Sequence, residues 1–147
     1  MPGLDDLYRE IILDHYRTPR NRGQLDPPAS HAVGHNPLCG DEIDVYLQVE
    51  SGVVTDIKVG GQGCSISQSS ASMMSQAVKG KSVEQVRGLV RRFKGMMSID
   101  DADGEPDTSV PLGDLEALQG VVKFPVRIKC ATLAWNTLLQ AMCEATP

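Results

Sequence analysis

The chain has 147 residues, of which 41% are hydrophobic, and this is the size of one domain with a single buried core. Nineteen acidic and 14 basic residues give a net charge of −5, so the sequence lacks the basic excess with which a general nucleic-acid binder neutralises phosphates. No apolar run has the length of a membrane-spanning helix, and the N-terminus is acidic where a signal peptide is basic and then apolar. We therefore expect a soluble, cytoplasmic protein that binds neither nucleic acid nor membrane.

The first half of the chain predicts a helix followed by a small antiparallel sheet. Apolar residues recur at helical spacing over residues 4–16, and a loop rich in proline and glycine follows. Residues 43–49 and 53–59 alternate between apolar and polar side chains, which predicts a hairpin at about residues 42–60. Because the odd-numbered residues of both strands must share one face, we predict a three-residue connection, Ser51-Gly52-Val53. A third strand is predicted over residues 31–36.

The second half of the chain predicts helices. Residues 65–78 form a serine-rich helix and residues 83–97 a clearer one, with Ser82 as N-cap and Gln85 as its capping-box partner. A final helix is predicted over residues 130–143, with Cys130 at its start. Residues 95–122 hold seven acidic residues and no lysine or arginine, and we interpret them as a solvated acidic insertion. The pattern predicts an α+β fold in one domain, residues 1–147, with a small antiparallel three-stranded sheet packed against several α-helices.

Three of the four cysteines are predicted at the ends of elements. The hairpin brings Cys39 and Cys64 to the same end of the sheet, while Cys130 begins the final helix. In an extended chain residues i and i+2 point to one side, so the Asp41 carboxylate can share a centre with the Cys39 sulfur. Three thiolates and a carboxylate suit tetrahedral zinc. Because no paired Cys-x-x-Cys is present, spacing leaves two interpretations open, a zinc site or three unrelated buried cysteines.

Several segments carry a family resemblance. They are Leu7-Tyr8 with Ile12-Leu13-Asp14-His15-Tyr16, Pro19-Arg20-Asn21, Asn36-Pro37-Leu38-Cys39-Gly40-Asp41, Gly63-Cys64-Ser65-Ile66-Ser67 and Val126-Arg127-Ile128-Lys129-Cys130-Ala131-Thr132-Leu133. In this order, and over nearly the whole chain, they resemble the IscU/NifU-N/SufU family of iron–sulfur cluster assembly proteins. The resemblance implies an IscU/SufU-like fold.

Two departures from the family pattern favour its SufU-type branch. Cluster scaffolds carry a histidine directly before the third cysteine and a Leu-Pro-Pro-Val-Lys chaperone motif upstream, whereas here Lys129 precedes Cys130 and the motif is not intact. The acidic insertion also resembles that of the SufU-type branch. The resemblance thus implies a zinc-dependent sulfurtransferase, which accepts persulfide sulfur from a SufS-type cysteine desulfurase and passes it to the Suf cluster-assembly complex. The alternative is a scaffold that assembles a [2Fe-2S] cluster on Cys39, Cys64 and Cys130.

The resemblance also implies roles for individual residues. Cys39, Asp41, Cys64 and Cys130 match the zinc ligands, and Cys39 matches the sulfur acceptor. Arg127 is a further candidate catalytic residue, placed to steady Asp41 or the thiolate charge. Cys143 matches no family position, and we interpret it as core packing or a spare thiol. Of the histidines, His15 is expected to pack on the first helix, and His31 and His35 are expected in loop contacts.

Overall fold

The computed structural model describes residues 2–27, 29–37, 40–97 and 112–145, with only the backbone described for residues 2–7. Helix α1 (Pro2–Arg17) is followed by strands β1 (Ser30–Asn36), β2 (Asp41–Glu50) and β3 (Val53–Gln62). Helices α2 (Ser65–Val78) and α3 (Val83–Met96), a 3₁₀ helix (Gly113–Lys123) and α4 (Pro125–Ala145) complete the described elements. The predicted α+β fold is confirmed. Among these helices none combines the length and hydropathy needed to cross a bilayer.

The three strands form one antiparallel sheet in the order β1-β2-β3, so the predicted third strand is confirmed. One face of the sheet is apolar and packs against α4 and α2, while α1 packs on α2. The core includes the fully buried rings of Phe93 on α3 and Trp135 on α4, which stack with centroids 4.4 Å apart. The predicted capping box of α3 is present in full, since Ser82 and Gln85 each bond to the other's backbone N–H.

The turn between β2 and β3 differs from the predicted connection. Two residues, Ser51 and Gly52, join the strands with φ values of 53° and 76°. An odd number of residues is still needed to keep the odd-numbered side chains of both strands on one face. The additional residue is Thr55 in β3, which the pairing passes over where the register shifts between Gln48 and Val49. The prediction of a three-residue loop was wrong because a β-bulge, which adds one residue to a strand, keeps the same side chains on one face equally well.

Helix α4 begins earlier than predicted. Its first residue is Pro125, which suits the first turn because proline has no N–H to satisfy there. Cys130 therefore lies in the second turn of α4 and not at its start. The helix packs closely on α2 through buried hydroxyls: Ser70 Oγ donates to the Ala131 carbonyl (2.6 Å) and accepts from Trp135 Nε1 (3.0 Å). The Ser70 hydroxyl is thus both a donor and an acceptor, which offsets the cost of burying a polar side chain between the two helices.

The acidic insertion is described only in part. Residues 98–111, which hold five of its seven acidic residues, lie outside the described residues. In the 3₁₀ helix that follows, an apolar side is buried in the core and consists of Leu115, Ala117, Leu118 and Val121. The interpretation of residues 95–122 as a solvated insertion is therefore wrong for this helix. That interpretation followed the many acidic residues of the segment and gave too little weight to the apolar residues between them.

The three histidines have contacts that the sequence did not predict. His15 is fully buried, with Nδ1 2.8 Å from Ser72 Oγ on α2 and Nε2 2.9 Å from Asp114 Oδ2 on the 3₁₀ helix. It therefore joins three helices, and its partners are not on α1. His31 and His35 lie on β1, so the expectation of loop contacts was wrong. The His31 ring stacks on Tyr46 with centroids 4.1 Å apart.

Candidate metal centre

Three elements bring their ends together at one side of the sheet. Asp41 is the first residue of β2, Cys64 directly precedes α2, and Cys130 lies in the second turn of α4. One carboxylate oxygen of Asp41 and the two sulfur atoms all lie within 4.8 Å of one another. Asp41 and Cys130 are buried, and Cys64 is half-buried. The structure therefore brings together three of the four residues that were expected to bind zinc.

The approach of Asp41 to Cys64 depends on the backbone between β3 and α2. The Cys64 N–H donates to Asp41 Oδ1 (2.9 Å), and the Cys64 sulfur lies 3.8 Å from Asp41 Oδ2. A Cβ on Gly63 would meet Asp41 Oδ1 and would lie 2.7 Å from Ser67 Oγ. Position 63 thus requires glycine, because a side chain there would occupy the space of the Asp41 carboxylate.

Two polar neighbours of the sulfur atoms were not predicted. Asn36, buried at the end of β1, has its Nδ2 3.9 Å from the Cys130 sulfur. Ser67, in the first turn of α2, has its hydroxyl 3.9 Å from the Cys64 sulfur. The Asn36 contact suits a thiolate, since a negatively charged sulfur accepts hydrogen bonds. The Ser67 hydroxyl instead donates to the Cys64 carbonyl (3.1 Å) and accepts from the Cys64 sulfur. The available signal was their position, because each lies within three residues of an expected ligand in a segment that carries the family resemblance.

Arg127 lies beside the same sulfur atoms. The negative charge of the Cys64 thiolate and its hydrogen bond, together with the charge of Cys130, raise the pKa of the Arg127 guanidinium above its usual range. The Arg127 side chain is itself exposed, in the first turn of α4. The structure therefore places a permanent positive charge at the solvent side of the two thiolates, where it offsets part of their negative charge.

Cys39, the fourth expected ligand, lies outside the described residues, as does Leu38. Gly40, which separates Cys39 from Asp41, has a φ of 69°. The chain is therefore not extended at residue 40. The prediction that Cys39 and Asp41 point to one side assumed an extended chain there, and it does not hold for this backbone. Cys143 and Lys129 are exposed on α4 and do not belong to the described donor cluster. Of the two interpretations of Cys143, the exposed position favours a spare thiol over core packing.

The donors fit zinc. Two thiolates and a carboxylate are ligands that tetrahedral zinc accepts, and a Zn–S bond of ~2.3 Å implies ligand atoms about 3.8 Å apart. In the structure the Cys64 sulfur lies 3.8 Å from Asp41 Oδ2, and the three donor atoms all lie within 4.8 Å of one another. Asp41, Cys64 and Cys130 would hold the ion, and one position would remain for a fourth ligand.

Comparison with known proteins places this geometry in a family. The sequence model of one protein family, the NifU-like N terminal domain, matches residues 7–131. The chain belongs to this family. Within it, the zinc-dependent sulfurtransferase SufU of Bacillus subtilis (strain 168) is 50% identical, over 96% of this chain and 92% of that protein. The iron–sulfur cluster assembly scaffold protein IscU of Streptococcus pyogenes serotype M1 is 40% identical, over 95% of this chain and 84% of that protein.

Solved structures agree with the family assignment. FiSufU from Fervidobacterium islandicum AW-1 superposes with a TM-score of 0.81 at 30% identity, covering 90% of this chain and 94% of that one. The N-terminal part of a NifU-like protein from Brucella abortus superposes with a TM-score of 0.80 at 25% identity, covering 96% of this chain and 95% of that one. The predicted IscU/SufU-like fold is confirmed.

Proposed function

We propose that this chain is a zinc-dependent sulfurtransferase of iron–sulfur cluster assembly. The observation that carries the proposal is the cluster of Asp41, Cys64 and Cys130 in a chain that is 50% identical to a protein named zinc-dependent sulfurtransferase SufU. The sulfur donor in this proposal is a SufS-type cysteine desulfurase, and the recipient is the Suf cluster-assembly complex. Cys39 completes the ligand set and accepts the sulfur.

The chemical step in this proposal is thiol exchange. The Cys39 thiolate attacks the outer sulfur of the desulfurase persulfide, the S–S bond breaks, and the desulfurase cysteine leaves as a thiolate. Cys39 then carries the transferred sulfur as a persulfide, and no net oxidation or reduction occurs. A bound zinc ion would keep the site cysteines deprotonated at neutral pH.

The other site residues support Cys39 without reacting themselves. The Cys64 N–H and Gly63 orient Asp41, and the Asn36 amide bonds to the Cys130 sulfur. In the proposed role, Arg127 is a catalytic residue, because its guanidinium attracts the anionic persulfide and stabilises the negative charge that moves between sulfur atoms during the exchange. Three ligands held by the fold leave Cys39, which follows Pro37 and precedes Gly40, as the ligand that can exchange.

The test compares cysteine variants in one assay. Zinc and iron are measured in the purified protein, and the rate of cysteine desulfuration by a SufS-type desulfurase is measured with the wild type, Cys39→Ala and Cys143→Ala. We expect bound zinc, stimulation by the wild type and by the exposed-thiol control Cys143→Ala, and no stimulation by Cys39→Ala. Stimulation that survives loss of Cys39, or protein without zinc, would contradict the proposal.

The alternative function is a [2Fe-2S] scaffold on Cys39, Cys64 and Cys130. It is supported by the 40% identity to a protein named as the scaffold IscU. The exposed Lys129 before Cys130 argues against it, because an ammonium group is not an iron ligand, whereas the scaffold branch has histidine there. A stable cluster that transfers to an apo-ferredoxin would favour the scaffold.

A further inference from the structure

A groove of about 850 Å³ lies beside the metal centre. It runs between α1, the start of α2, the 3₁₀ helix and the start of α4. Its volume is that of a site for a small molecule or a short peptide segment. The lining side chains are mostly apolar, and the principal ones are Tyr8, Ile12, Leu13, Ile66, Val121 and Phe124.

The groove continues to the thiolates. Ser65, which lines it, directly follows Cys64, and Arg127 lines it as well as contacting the Cys64 and Cys130 sulfurs. A protein segment seated in the groove would therefore bring the rest of its surface to the donors Asp41, Cys64 and Cys130. The groove and the metal centre form one continuous surface.

The charges of the groove define its occupant. Arg9, Lys123 and Arg127 line it, and no described lining residue is acidic, although the whole chain carries a net charge of −5. Three positive charges on one apolar groove of an acidic protein are complementary to a segment that is both acidic and apolar. Single exposed apolar residues are common on protein surfaces. An exposed aromatic ring together with arginines is instead typical of protein–protein interfaces. Phe124, on the rim, is 61% exposed.

We propose that this groove docks an acidic segment with apolar side chains on the cysteine desulfurase that donates the sulfur. The proposal rests on the proposed function, and it adds the surface and the chemistry of the contact. Docking there fixes the donor against the face that carries Arg127 and the thiolates, which is the orientation that transfer to this site requires.

The test is a binding measurement with matched variants. The affinity of the zinc-loaded chain for a SufS-type desulfurase is measured by calorimetry, together with its dependence on NaCl. Arg9→Glu changes an exposed arginine in the groove, and Arg87→Glu makes the same charge change at an exposed arginine on α3. We expect Arg9→Glu to raise Kd about tenfold and to weaken the salt dependence, while Arg87→Glu leaves Kd within about twofold of the wild type.

The apolar part of the contact has its own pair of variants. Phe124→Ser removes the aromatic ring of the rim, and Val33→Ser removes an exposed apolar side chain on β1, away from the groove. We expect about a tenfold rise in Kd for Phe124→Ser alone. Zinc content, measured for all four variants, is expected to equal that of the wild type, which excludes misfolding as the cause.

The outcomes separate this proposal from the proposed function. Equal Kd values for groove and control variants would overturn the groove as the docking surface, as would a wild type that does not bind the desulfurase. Self-association of the wild type that Arg9→Glu abolishes would also overturn the proposal, because the occupant would then be a second copy of the chain. Normal docking with sulfur transfer that survives Cys39→Ala would instead refute the proposed function and leave the groove supported.

Discussion

Three glycines at the end of β3 and directly before Cys64 allow a sharp test of how the backbone holds the metal centre. Gly60, Gly61 and Gly63 are near neighbours in sequence but differ in surroundings. A Cβ on Gly60 would meet nothing closer than 3.9 Å, which is ordinary van der Waals contact. A Cβ on Gly61 would meet the Glu42 backbone carbonyl, with its carbon 2.8 Å away, and a Cβ on Gly63 would meet the Asp41 carboxylate.

These surroundings predict three different results for substitution by alanine. Gly60→Ala is expected to change the free energy of unfolding by less than about 0.5 kcal/mol, as for an unstrained site. In Gly61→Ala the new methyl group would meet the backbone of the paired strand, which costs about 1–3 kcal/mol of overpacking. Alanine at a φ of 113° adds about 1–3 kcal/mol of backbone strain. At ~4 °C per kcal/mol, the melting temperature of Gly61→Ala falls by roughly 8–24 °C.

Gly63→Ala is expected to act on the metal as well as on the fold, because a Cβ at this position, where φ is 156°, would meet the Asp41 carboxylate and lie 2.7 Å from Ser67 Oγ. Because the new methyl group displaces the Asp41 carboxylate, we expect zinc affinity to fall about 10- to 100-fold, the loss typical when a group that orients a ligand is removed. Zinc affinity is measured by competition with a colorimetric chelator, and stability by thermal unfolding of the metal-free protein. Wild-type zinc affinity in Gly63→Ala, or an equal loss in Gly60→Ala, would refute this reasoning.

Three further predictions concern the fold. His15→Ala removes two buried contacts and leaves a cavity, so we expect the free energy of unfolding to fall by about 2–4 kcal/mol in urea, whereas Asp114→Asn, at a half-exposed partner, costs less than about 1 kcal/mol. Ser51→Asn suits a turn residue with φ of 53°, and we expect it to raise the melting temperature by up to about 4 °C. The hydrogen bond from Arg20 lowers the pKa of Asp14, so the associated stabilisation is present at neutral pH and is lost as pH falls through that lowered pKa. Arg20→Gln should return the Asp14 pKa toward 3.8, as measured by carboxyl NMR titration.

The sequence predicted what depends on local periodicity. Helices α1, α2 and α3, the alternating strands and the Ser82 capping box follow from patterns within a few residues, and the structure contains them. The hairpin shows the limit of such reasoning. The alternation of apolar side chains required one additional residue between the paired positions of the two strands. A third turn residue or a bulge at Thr55 satisfies that requirement equally well.

The contacts that the sequence did not predict join residues far apart in the chain. His15 meets partners 57 and 99 residues away, and Asn36 meets Cys130 across 94 residues. No local pattern marks such pairs, because burial of a polar side chain depends on which elements pack against it. The proximity of Asp41, Cys64 and Cys130 was predicted, since the family resemblance supplied the long-range pairing that spacing alone left open.

The origin of each donor bears on whether a bound metal would serve the fold or the chemistry. Asp41 is oriented by a backbone N–H and by the absence of a side chain at Gly63, and Cys130 lies in a helix fixed by its own apolar contacts. The described structure thus places three donors within 4.8 Å of one another on elements that are also held by their own hydrogen bonds and packing. We expect a site whose donors are also held by the fold to retain its shape when one ligand departs, because contacts other than those to the metal fix the remaining donors. Such a site suits the proposed exchange of Cys39 between metal and sulfur donor, whereas a structural zinc site uses all of its ligands to maintain the fold.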